Sequence, residues 1–86
     1  MGQTRSQPII ATITNVVNRG SPTEYIVFVV KRPAAMYKRL RGESVTVSHR
    51  WWLDKEPPAV GADAVIDDVR HHHGGWRAYH ARFWRP

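Results

Sequence analysis

The sequence contains no cysteine, which removes a disulfide framework, a thiolate metal site and a thiol nucleophile together. No apolar run approaches the roughly 18 residues that a membrane-crossing helix needs. The polar start from Met1 to Pro8 lacks the apolar centre of a secretory signal. A cytoplasmic protein with no membrane association is the expectation. Acids are scarce too, with seven Asp and Glu against 13 Lys and Arg, for a formal net charge of +6. A balance of that sign favours polyanionic partners and says little about fold. Lysine is the minor cation, present only as Lys31, Lys38 and Lys55, so the positive charge rests mainly on the side chain that grips phosphate bidentately and stacks on bases.

Also missing is any nucleophile-elbow, phosphate-loop or zinc-hydrolase spacing, and the adjacent carboxylates of Asp67 and Asp68 would diverge on a strand. A chain of 86 residues has room for one core and buries only roughly 60–65% of its unfolded surface, which leaves little depth for a substrate-swallowing cleft. The expectation is a binding module, not an enzyme, that carries no cofactor. Residues 1–7 have no apolar periodicity and read as a frayed terminus, and 8–86 as one domain.

Period-two patterning fills most of the rest. Ile9, Ala11 and Ile13 share one face of a first strand from Pro8, and Val16-Val17 break the alternation where a bulge is expected. Asn18 to Thr23 is dense in turn residues, and Glu24 to Lys31 is the strongest strand, apolar on both parities from Ile26 to Val30. Pro33 to Gly42 starts with proline and ends with glycine around good helix formers, the pattern of one short helix or helical turn. Glu43 to Trp52 alternates again as a third strand, and Leu53 to Gly61, with Pro57-Pro58, is a loop. Asp63 to Arg70 is a fourth strand that Asp67-Asp68 interrupts with a second bulge. A turn over His71 to Gly75 leads into a fifth strand, Trp76 to Trp84, with Tyr79, Ala81 and Phe83 inward and Trp76, His80, Arg82 and Trp84 outward.

The fold class this implies is all-β, a five-stranded antiparallel small barrel with one short helical element, either OB-fold-like or SH3-like. Val60-Gly61 to Val69, a glycine turn, then Gly75-Trp-Arg-Ala78-Tyr79-His80-Ala81 resembles the closing hairpin of cold-shock and related small OB-fold domains, over about a quarter of the chain. The resemblance implies an OB-fold and nucleic-acid binding. The aromatic motifs those domains carry on strands two and three are absent from Tyr25-Ile-Val-Phe-Val-Val and Ser44-Val-Thr-Val-Ser-His, so no binding residue carries over by position.

The binding surface is read instead from basic and aromatic residues interleaved in three places: Lys31, Arg32, Tyr37, Lys38, Arg39 and Arg41; Arg50 and Trp52; and Trp76, Arg77, His80, Arg82 and Trp84. Cations along a backbone and aromatics stacked on bases are what holds single-stranded DNA or RNA with little sequence preference. Five of the seven acids lie between Asp54 and Asp68, which suggests a charge-polarised molecule. The alternative is a small basic adaptor whose exposed aromatics dock on a protein partner of a nucleic-acid machine. His71-His72-His73 would bring at most two imidazoles together across a strand and turn, so no metal is expected there.

Overall fold

The computed structural model describes residues 8–85, so the segment 1–7 lies outside the described residues. Five strands form in chain order: β1 (Ile9–Val17), β2 (Tyr25–Arg32), β3 (Ser44–Ser48), β4 (Asp63–His72) and β5 (Gly75–Phe83). They make one mixed sheet that closes into a ring in the order β1-β2-β3-β5-β4. Among the described residues no helix is long and apolar enough to cross a membrane.

A uniformly antiparallel sheet was the expectation, and the ring corrects it. Strand directions that alternate cannot close around an odd number of strands, so one neighbouring pair must run parallel. That pair is β3 and β5, joined through Val45–Trp76 and Thr46–Arg77. All the other pairs are antiparallel.

The inward faces supply the core. Ile9, Ala11 and Ile13 of β1, Ile26, Phe28 and Val30 of β2, Val45 and Val47 of β3, Ala64, Ile66 and Val69 of β4, and Ala78 and Ala81 of β5 are all buried. Phe28 is the largest side chain wholly removed from solvent among the described residues. The segment after Pro33 is a 3₁₀ element over Ala35–Leu40, broken at Tyr37, whose φ of −122° is not helical. Ala34 and Leu40 from this segment are buried in the core, and Gly42 closes it at a φ of 80°, where a glycine is favoured.

Three local expectations change. The bulge placed at Val16-Val17 sits at Thr14, which has no partner between Ile13–Phe28 and Asn15–Val27 and whose hydroxyl donates to the Val27 carbonyl at 3.2 Å. The third strand stops at Ser48, and His49–Trp51 winds into a 3₁₀ turn. This turn carries Trp52 against β5, where it bridges Ala81, and Leu53 N–H donates to the Ala81 carbonyl at 2.8 Å. The next exposed amide of β5, Phe83, is taken by the Asp54 carboxylate at 3.0 Å, so a side chain finishes the edge that the short β3 leaves open. The turn expected over His71 to Gly75 is shorter, only His73-Gly74, with Gly74 at a φ of 70°.

Candidate nucleic-acid interface

The strand pairings decide which side chains share a surface, and β5 holds the decisive irregularity. Its buried alanines, Ala78 and Ala81, are three residues apart, and their cross-strand partners Val69 and Ile66 are also three apart. A period of two cannot do this without a phase change. It happens at Asp67-Asp68, where Asp68 adopts a φ of 55° and its amide is held by the Asp67 carboxylate at 2.8 Å. Asp68 and Tyr79 face each other unpaired while the register stays the same on either side, so the bulge expected in the fourth strand is replaced by a kink with no extra residue, at which β4 and β5 shift phase together. As a result Tyr79 and His80 both lie on the outer surface, and β5 presents Arg77, Tyr79, His80, Arg82 and, just past its end, Trp84.

This corrects the uniform parity read from the sequence. Trp76, expected outward, is half-buried against the core with His71 edge-on to it at 4.8 Å. Tyr79, expected inward, sits outside: its hydroxyl lies 2.9 Å from His72 Nε2, and the Arg70 guanidinium stands 4.6 Å from its ring centroid. Trp52 packs on the core, meets Phe83 edge-to-face at 4.8 Å and donates its indole N–H to the Glu56 carbonyl at 2.8 Å. Tyr37 is likewise packed against the core. Trp76, Trp52 and Tyr37, together with Trp51, which packs against the same core, are structural before they are anything else.

Around Tyr79 the outer wall of β2, β3, β5 and β4 carries a coherent set. The row Val27–Thr46–Arg77–Arg70 crosses four strands. Trp51 meets Tyr79 and His80 edge-on, at 6.1 Å and 5.8 Å. An open groove of about 410 Å³ runs beside this row, lined by Thr23, Glu24, Tyr25, Thr46, Ser48 and Arg77. Tyr25 is one of the few large apolar side chains that stand exposed, and the Glu24 carboxylate is engaged by the Gly20 amide at 2.9 Å. Tyr25 and Arg70 were not singled out from sequence, Trp51 and Tyr79 stand in the basic–aromatic stretches but are not among the expected binding residues, and His72 is read there only as part of the histidine run. The one local sign was the broken alternation at Asp67-Asp68.

The remaining sequence candidates separate from this wall. Lys31 bonds Asp63 at 2.9 Å, and Arg41 donates to the Lys31 carbonyl at 3.2 Å. Lys38 and Arg39 stand exposed on the 3₁₀ element between β2 and β3. Arg50 is exposed in the turn after β3. Arg32 lies over Trp84, its guanidinium 5.6 Å from the ring centroid, at the far end of β5.

Nor do the clustered acids make a negative pole. Lys31 holds Asp63, Arg70 holds Asp68, and Arg85 bridges Asp54 and Glu56, so three cations pair with four carboxylates and offset most of their charge. The Arg85 hydrogen bond and the Phe83 amide hold the Asp54 carboxyl below its ordinary value, Lys31 and Thr12 do the same for Asp63, and Arg70 does so for Asp68. Arg32, Lys38, Arg39, Arg50, Arg77 and Arg82 have no acidic partner among the described residues.

No protein-family model matches the chain, and neither a curated protein nor a solved structure resembles it closely enough to establish a relationship.

Proposed function

We propose that this chain is an OB-fold domain that binds single-stranded DNA or RNA with low sequence specificity, through phosphate contacts and aromatic stacking. The ring order β1-β2-β3-β5-β4 with a parallel β3–β5 closure supports an OB-type barrel, whose ligands use the face of strands two and three. The observation that carries the reading is the wall around Arg77. There Arg77, which has no acidic partner among the described residues, the rings of Tyr25 and Tyr79 and the hydroxyls of Thr46 and Ser48 are gathered from distant parts of the sequence beside one open groove, with Arg70 held by Asp68.

Cations without acidic partners attract a phosphate backbone, whereas tyrosine and tryptophan rings accept any base. A second reading, docking on a protein, is favoured by Leu53 and Val60, 58% and 62% exposed on either side of Pro57-Pro58. The deciding experiment is fluorescence anisotropy with a labelled mixed-sequence single strand at two ionic strengths. Binding that weakens as salt rises is expected. Absence of binding at low salt, or binding indifferent to salt, would overturn the nucleic-acid reading.

A further inference from the structure

We infer that a bound single strand follows β5 past the phase change at Tyr79 and His80 to a second subsite at its far end, formed by Arg82, Trp84 and Arg32. The inference rests on the single-strand reading and extends it to the path and length of the ligand.

A regular strand would alternate inward and outward, but the phase change between Ala78 and Ala81 puts Tyr79 and His80 on the outer surface together. Arg77 and Tyr79 before the phase change, and His80, Arg82 and Trp84 after it, then make one outer line along a single strand. Seven residue steps from Arg77 to Trp84 span ~23 Å at ~3.3 Å each. A track of that length suits a ligand of roughly 4–6 nucleotides, at the short end of what OB-type domains occupy.

The far end has the right chemistry of its own. Arg82 pairs across β4 with Val65, Val65 with Ile10 of β1, and Ile10 with Arg32 of β2, so the two arginines end one row across the sheet whose middle holds a half-buried Val65 and a buried Ile10. Trp84 is half-exposed beside this row, with Arg32 over its ring. Neither Arg32 nor Arg82 has an acidic partner among the described residues, and the nearby Asp63 is already occupied by Lys31 and Thr12. A partly exposed indole with Arg32 over one face and Arg82 on the strand that leads into it is a stacking platform with phosphate ligands beside it.

The test uses four- and twelve-nucleotide oligothymidylates, titrated by anisotropy into the wild type, the Arg32→Ala/Arg82→Ala double variant and Arg77→Ala. Wild-type affinity should rise with length at a stoichiometry of one long strand per protein. In the double variant that gain should shrink roughly tenfold and the salt slope on the long strand should fall by about two charges. Arg77→Ala should weaken both lengths while the gain with length persists. Trp84→Ala, outside the strand proper, gives an independent arm if the double variant melts early, and should also reduce the gain. A double variant that keeps the full gain with length, or two long strands bound per protein, overturns the single path. A wild type that binds neither length overturns the underlying single-strand reading as well.

Discussion

Arg70 and Arg77 stand directly opposite each other across the β4–β5 hairpin, and only Arg70 is neutralised, by Asp68 at 2.9 Å. Like charges paired across strands cost ~0.2–1 kcal/mol relative to a neutral pair. The hairpin tolerates this because Arg70 turns back to Asp68 and rests on Tyr79, which leaves the Arg77 charge facing the groove. Arg77→Ala should therefore leave melting unchanged or raise it slightly, while affinity for single strands falls and the salt slope drops by about one charge. Thermal melting with paired anisotropy checks both. A large loss of stability would show Arg77 to be structural.

Tyr79 offers a ring and a hydroxyl that can be separated. Tyr79→Phe removes the 2.9 Å contact with His72 but keeps the surface that Arg70 and Trp51 meet, so binding should stay within about twofold of wild type. Tyr79→Ala removes the stacking platform and should cost ~1–3 kcal/mol of affinity. Equal losses in the two variants would assign the effect to the hydroxyl instead.

A fully buried and a half-buried aromatic of the core should part company in unfolding experiments. Phe28→Ala opens a cavity in the fully buried centre and should cost ~3–5 kcal/mol, comparable to the whole stability of so small a domain. Trp76→Ala, half-buried against the same core, should cost ~1–3 kcal/mol, below the range for a fully buried ring. Urea titration of both variants measures this, and a silent Trp76→Ala would contradict the phase change in β5.

Acid should loosen the ring in a definite window. Asp54, Asp63 and Asp68 have their folded-state carboxyls held below the ordinary value by Arg85, Lys31 and Arg70 respectively. As pH falls, the unfolded chain takes up these protons first, from about pH 4, so stability present at neutral pH is lost below that point and not above it. Asp54→Asn should flatten the acid limb of a stability-versus-pH curve. Its Phe83 amide contact makes it the carboxyl most tied to the sheet. A curve unchanged in shape would deny that role.

The strands were legible because β-branched runs between glycine- and proline-rich turns admit few other readings. The expected Glu24–Lys31 and Trp76–Trp84 segments differ from β2 and β5 by one residue at each end. What escaped was phase. Asp67-Asp68 announces the slip in β4, but in β5 the run Ala78-Tyr79-His80-Ala81 alternates acceptably in either register, so the answering slip has no local signature. The end of β3 escaped for a related reason: Val45 to Trp52 keeps period two in sequence while the chain winds into a 3₁₀ turn to meet Ala81. Charge was legible as a sum and misleading as a map, because Lys31 and Arg85 reach the acids only once the ring has closed.

The double pairing of β1 also sets the order of assembly. Val16–Ile26 and Val17–Tyr25 can zip as soon as the first hairpin exists, whereas Ile9–Ile66 and Ala11–Ala64 must wait for a stretch more than fifty residues away. Closing so long a loop is entropically slow, and topologies rich in such contacts fold on the millisecond-to-second scale. Until β4 arrives, the far edge of β1 is an unpaired row of amides and carbonyls around Ile9, Ile10 and Ala11. During that interval the chain is most exposed to joining the same edge of another copy, so the yield of refolding should fall as protein concentration rises.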